Sequence, residues 1–301
     1  MRQARIKLDK ESCWYHCYNR VAGTKHDRPF GDVEKDQFIR ILKRVSRLYS
    51  IRVVSYQVLS NHFHLLAHAP VEEPDAEEMC RRYRAFHNGK RTLKPDSPAC
   101  QAWQARSRDI SWFMRHLQQL FTVWYNRTRP VRRRGSLWAD RFKHTLLESG
   151  AAVWICWTYI ENNAVRAHIV EQAGDYRFGS HGAWLQSGRH PFAANVRAVA
   201  LPMLRNSLGL TNLSQIREAM EKVLAGKAGS EAPESGVAIS VQRHVRYWTQ
   251  GLVIGSRLFV AGVMSRYNTK EAIARHRSAR LEYPGGLRLY AWRRPRLADT
   301  G

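Results

Sequence analysis

The chain has 301 residues, a formal net charge of +24 and 44% hydrophobic residues. That is ample apolar material for a packed core, and more length than one average domain needs. So large a positive excess points to an anionic partner, most economically a nucleic acid, and no run of eighteen apolar residues offers a membrane span.

The basic start Met1-Arg2-Gln3-Ala4-Arg5-Ile6-Lys7 is followed by no apolar stretch, so it does not read as a secretory signal. The cysteines Cys13, Cys17, Cys80, Cys100 and Cys156 are odd in number and form no C-x-x-C pair, which predicts free thiols in a reducing compartment. Cys13 and Cys17 read as small buried hydrophobes, because a structural zinc site would need a second pair.

In chain order, residues 12–21 are rich in aromatics and read as a strand. Residues 33–49 read as a helix, with Phe38, Ile41, Leu42, Val45 and Leu48 at helical spacing. Residues 51–59 and 62–68 read as two strands joined at Ser60-Asn61. Residues 70–108, first acidic and then basic, read as an insertion with one short helix near 76–87. A helix is predicted from Ile110 to Arg127, with Asp109 as its N-cap. An arginine-dense loop, a strand over 136–147 with a bend near Ala139-Asp140, and a helix over about 150–164 follow. A boundary is placed near 186, before a basic extension (187–301) expected to be mostly helical, with a flexible linker at about 225–237. Its tail carries Arg275, Arg277, Arg280, Arg288, Arg293, Arg294 and Arg296.

Two stretches carry chemistry. On a strand, residues two apart point the same way, so His62 and His64 project side by side while Phe63 and Leu65 face the core. Two imidazoles so presented can hold one divalent metal, although a bare H-x-H is more often a pair of surface or stacking histidines. On the helix, Tyr159 and Asn163 are four apart and share a face. If that face meets the histidines, Asn163 adds an oxygen ligand and Tyr159 reaches a phosphate bound to the metal. Taken singly, Tyr159 reads as a packed aromatic and Asn163 as a helix cap.

The ordered set of motifs resembles the HUH single-tyrosine transposases, and within them the REP-associated tyrosine transposases. Tyr15-His16-Cys17-Tyr18-Asn19-Arg20 looks like that family's first strand, and His62-Phe63-His64-Leu65-Leu66 like its histidine–hydrophobe–histidine strand. Asn126-Arg127 through Lys143 resembles its arginine loop and following strand, and Tyr159-Ile160-Glu161-Asn162-Asn163-Ala164-Val165-Arg166 its nucleophile helix. The likeness covers about residues 10–185. Ala164 stands where the family usually has proline, and Ser60 where its turn often has one. Neither departure removes a reactive atom.

The resemblance implies an α+β fold: a ferredoxin-like antiparallel sheet with packed helices over 1–186. It implies metal-dependent cleavage and transfer of single-stranded DNA through a covalent 5′-phosphotyrosine, as in DNA transposition or REP-element mobilisation. Tyr159 would be the nucleophile, and His62, His64 and Asn163 would bind Mg²⁺ or Mn²⁺. Arg127, Arg129, Arg132, Arg133, Arg134, Arg141 and Lys143 would contact phosphates, with Trp138 stacking on an unpaired base or buried in the core. The expected partner is single-stranded or hairpin DNA in the bacterial cytoplasm at the nucleoid. There is no membrane role, and a homodimer that exchanges the tyrosine helix is open. A non-catalytic DNA-hairpin-binding regulator and a replication-initiator-like nicking nuclease are the rival readings.

Overall fold

Alternation of side chains along the strands decides where the two layers of the molecule meet. In the computed structural model, which describes residues 6–8, 11–24, 26–225, 245–267, 279–283 and 287–293, the aromatic stretch forms β1 (Cys13–Arg20). The apolar runs after α1 (Asp32–Leu48) form β2 (Arg52–Val58) and β3 (His62–Ala69). β3 lies antiparallel between β2 and β1, and β4 (Lys143–Leu147) lies antiparallel on the other side of β1.

Tyr15, Cys17, Phe63, Leu65 and Ala67 alternate onto one face and pack with Phe38, Leu42 and Val45 of α1 and Phe113, Leu117 and Phe121 of α4 (Ile110–Arg127). Asp109 caps α4 by accepting from the Ser111 amide at 2.6 Å. Trp14, Leu66 and Leu147 alternate onto the opposite face. They pack against α5 (Ala151–Glu161), in which every residue from Ala152 to Glu161 is buried. A helix apolar all round belongs inside a fold, and here it runs straight on into the short α6 (Asn163–Arg166). Its outer side is covered by α9 (Leu201–Leu208) and α10 (Leu213–Ala225) of a helical layer that begins with α7 (Ser180–Ser187) and α8 (Ala193–Asn195).

Two sequence expectations change here. The 70–108 segment holds two helices, α2 (Ala76–Phe86) and α3 (Pro98–Ser107). The second is started by Ser97, whose hydroxyl takes the Cys100 amide, with Pro98 in the first turn. The predicted strand over 136–147 is strand only from Lys143; before that, Trp138 makes a single bridge to Val21.

The extension supplies more than helices. After α11 (Val245–Gln250), β5 (Gly251–Gly255) pairs parallel with β4. Beyond α12 (Arg257–Tyr267), β6 (Ala279–Glu282) and β7 (Arg288–Arg293) complete the sheet. Among the described residues the fold is therefore α+β, with a mixed sheet of order β2-β3-β1-β4-β5-β7-β6 that crosses the boundary expected near 186. The expected linker falls almost wholly outside the described residues, as do Arg275, Arg277, Arg294 and Arg296. Among the described residues no helix is long and apolar enough to cross a membrane.

Candidate active site

Strand register assembles the site. Across the β1–β3 pair, Tyr18 lies opposite His64 and Arg20 opposite His62, and His16 follows one pleat further along. The period of two puts all of these on the face that meets α5. The His62 and His64 rings are 5.2 Å apart and nearly perpendicular. α5 brings the Tyr159 ring to 5.7 Å from both His16 and His64. Asn163 opens α6 and hangs its amide nitrogen on the Tyr159 carbonyl at 3.1 Å. Arg166, one helical turn further, donates to Asn163 Oδ1 at 2.8 Å and lies 5.2 Å from the Tyr159 ring. His62, His64, Tyr159, Asn163 and Arg166 line one cleft of about 670 Å³.

Glu161 fixes the end of the tyrosine helix. Its buried carboxylate accepts from the Ser55 hydroxyl at 2.7 Å, the Trp157 indole at 3.2 Å, the His181 amide at 3.1 Å and the Ser180 hydroxyl. Gln57 of β2 donates to the Glu161 carbonyl at 3.0 Å. α5 is thus tied to β2 and to α7 two residues from Tyr159, which holds the phenol's position without any contact to it.

The cleft is cationic. Among the described residues, Arg20, Arg28, Lys143 and Arg166 line it, against the single carboxylate of Asp140. That balance suits a phosphodiester backbone. Tyr159 is 1% exposed. Burial raises its pKa, while the nearby charge of Arg166 pulls it back down. Burial lowers His62 to about 4, helped by the charges of Arg166 and Arg28. Burial also takes His64 well below its ordinary range, with His16, His62 and Arg166 adding to it. Both histidines are neutral at neutral pH, the state a metal ligand needs.

His62 donates Nδ1–H to Asn61 Oδ1 at 2.7 Å and so keeps its Nε2 lone pair. Two neutral imidazoles and an amide oxygen are donor types that a divalent cation accepts, and Asn163 Oδ1 also accepts from Arg166. Among the described residues no group of three or more His, Cys, Asp or Glu makes a metal centre, so any such ion would rest on the two histidines and the amide.

The predicted DNA-contact residues separate. Lys143 lines the cleft. Arg127, the last residue of α4, and Arg132 and Arg134 on the loop after it are exposed and do not line the cleft. Arg129 pairs with Glu34 at 2.5 Å and lies over Tyr125, and Arg133 holds the Ser136 carbonyl at 3.1 Å. Arg141 lines a different hollow, with Lys7, Trp112 and Arg115. Trp138 packs with Phe30, Phe38, Phe63 and Phe121, and its indole donates to Thr122 at 3.0 Å. The ring is only half-buried, so it packs on the core with one part left open.

Residues outside the sequence expectation also reach the site: Arg20 and Arg28 on its wall, and Arg166, His16 and Trp248 beside Tyr159. Arg166 carried a detectable signal, since it shares the Tyr159–Asn163 face. His16 is brought in only by sheet register. Trp248 of α11 stacks on Tyr159 at 5.9 Å and arrives from the far end of the chain.

No protein-family model matches the sequence, and no curated protein does either. One solved structure, described as a REP-associated tyrosine transposase bound to a REP hairpin, aligns with 64% of this chain and 90% of its own at 17% identity, with a TM-score of 0.41.

Proposed function

We propose that this cleft cleaves and rejoins single-stranded DNA through Tyr159. One observation carries the reading: Tyr159, His62, His64 and Asn163 line a single cleft in which cations outnumber the one carboxylate. The unit β1-α1-β2-β3-α4-β4, in sheet order β2-β3-β1-β4, we read as ferredoxin-like.

The Tyr159 oxygen attacks the scissile phosphorus and the bond to the 3′ oxygen breaks. The phenolic proton leaves to solvent, and the departing 3′ oxygen takes one up. The products are a 5′-phosphotyrosine and a free 3′-OH, and attack by a second 3′-OH reverses the step and joins a new strand. Arg166 lies against the phenol and stabilises the phenolate as its proton departs. Arg20, Arg28 and Lys143 hold flanking phosphates, and exposed Arg127, Arg132 and Arg134 extend the basic track. His62, His64 and Asn163 are the residues that would hold Mg²⁺ or Mn²⁺. Such an ion, when bound, draws charge from the phosphodiester oxygens. Mobilisation of the DNA element that carries the hairpin is the outcome we assign.

The test is incubation with labelled single-stranded hairpin DNA, with and without Mg²⁺ or Mn²⁺, beside Tyr159→Phe. The expected result is a metal-dependent covalent adduct that the variant does not form. Tight binding with no adduct under either metal would overturn the catalytic reading in favour of a hairpin-binding regulator.

A further inference from the structure

A chain of hydrogen bonds enters the site from behind. His16 is fully buried. Its Nδ1 lies 3.1 Å from the main-chain carbonyl of Trp248, and its Nε2 lies 2.9 Å from Nδ1 of His64. A carbonyl oxygen only accepts, so His16 carries its proton on Nδ1 and its Nε2 is a lone pair. The partner facing that lone pair must donate, so His64 carries its proton on Nδ1. His64 is thereby left with one lone pair, on Nε2. The geometry is a cross-strand diagonal: His16 is in register with Leu66, two residues from His64. The two rings lie 5.1 Å apart and 18° from parallel, so neither can turn without losing the bond. Thr145 of β4 places its hydroxyl 3.3 Å from the same Trp248 carbonyl and 2.9 Å from the Gly251 carbonyl, which pins the segment that starts the relay.

We propose that His16 is a positioning residue: held by the Trp248 carbonyl, it accepts the Nδ1 proton of His64 and fixes His64 as the tautomer whose Nε2 is free to take a divalent cation. The metal half of this rests on the function proposed above; the tautomer half stands on the hydrogen bonds alone. The relay gives residues 245–255 a part in the site. His62 reaches the same tautomer by a separate route, through Asn61. The site therefore presents two matched Nε2 donors, each set by its own partner. Outer partners of this kind set the orientation and basicity of a ligand imidazole, and their loss commonly weakens metal binding about 10- to 100-fold.

The experiment uses the full chain with ¹⁵N-labelled histidine. Long-range ¹H–¹⁵N correlation assigns the His64 tautomer, with His64→Ala identifying the signal, and Mn²⁺ affinity is measured by calorimetry. The wild-type protein is expected to hold His64 protonated on Nδ1 before any metal is added. His16→Leu, which offers no acceptor, should mix the His64 tautomers and weaken Mn²⁺ binding about 10- to 100-fold. His16→Gln has an amide oxygen to accept from His64 and an amide nitrogen to donate to the Trp248 carbonyl. It should hold the tautomer and keep most of the affinity. Finding wild-type His64 protonated on Nε2 would overturn the proposal even if every His16 variant failed to fold. So would unchanged tautomer and affinity in a folded His16→Leu. A wild-type protein with the expected tautomer but no Mn²⁺ binding would support the positioning role of His16 and overturn the metal reading of the cleft.

Discussion

Replacing Glu161 with alanine strips the acceptor from four donors at once. Ser55, Ser180, Trp157 and His181 are all buried, so water cannot substitute. The two serine hydroxyls can rotate towards other acceptors. The Trp157 indole and the His181 amide cannot, and each stranded buried donor costs about 1–3 kcal/mol. A loss of roughly 3–4 kcal/mol is therefore expected for Glu161→Ala, the size of effect that a broken buried network produces. Glu161→Gln keeps one carbonyl oxygen but turns an amide NH₂ towards a donor, so about 1–2 kcal/mol is expected. Urea denaturation followed by far-UV circular dichroism gives both values from the midpoint at constant slope. The variant should also form the Tyr159 adduct more slowly, because the end of α5 is no longer tied to β2 and α7. A Glu161→Ala protein within about 1 kcal/mol of wild type would refute the view that this carboxylate anchors the tyrosine helix.

Trp138→Ala should cost about 3 kcal/mol, through the aromatic cluster and the lost bond to Thr122, while hairpin affinity per folded molecule stays the same. Thermal melts and filter binding together check this, and lost affinity at unchanged stability would return the ring to the DNA. Acid should destabilise the fold through its buried histidines. His190, packed against Trp184 and beside His181, is lowered to about 3, and His181, which also feels Arg217, to about 4; burial is the main cause in both. With folded values below the unfolded value of about 6.5, their stabilisation is complete above that pH and is lost progressively as pH falls from there towards the folded values. Melting temperature should therefore drop between about pH 7 and pH 5, by an amount equivalent to roughly 2 kcal/mol per histidine at the lower end. A flat profile across that window would contradict the burial argument.

What could be read in the sequence was local. His62 and His64 were legible because a strand alternates with period two, and Tyr159 and Asn163 because a helix repeats near four. Both rules act locally, along one strand or one helical path. His16 obeys the same alternation, but nothing within β1 says that β3 lies beside it, or that the register brings position 16 diagonal to position 64. Trp248 is further still from its contacts, since it reaches Tyr159 only because β5 docks in parallel on β4. The Gly251–Gly255 strand is too short to stand out, and its pairing partner is about a hundred residues away. Trp138 is ambiguous for another reason. An aromatic ring in a basic loop satisfies a stacking role and a packing role equally well, and its contacts with Thr122 and four phenylalanines appear only once the chain is folded.

The placement of Tyr159 sets two demands against each other. A nucleophile needs a fixed position, and α5 supplies it by being buried along almost its whole length and tied at its end by Glu161. The same burial disfavours the phenolate, which in the proposed reaction is the form that attacks. An isolated buried tyrosine would be well placed and inert. Here the opposing contribution comes from residues one and two turns further along the same helical path: Arg166, whose charge lies 5.2 Å from the Tyr159 ring, and Asn163, which accepts from Arg166 and donates to the Tyr159 carbonyl. In the proposed reaction, position and activation would thus come from one helical path. A perturbation that shifts α5 and α6 as a unit should disturb attack geometry while leaving the phenol's ionisation in place, whereas Arg166→Ala should do the reverse. Slower adduct formation that recovers at high pH in Arg166→Ala, but not in Glu161→Ala, is the signature of that division.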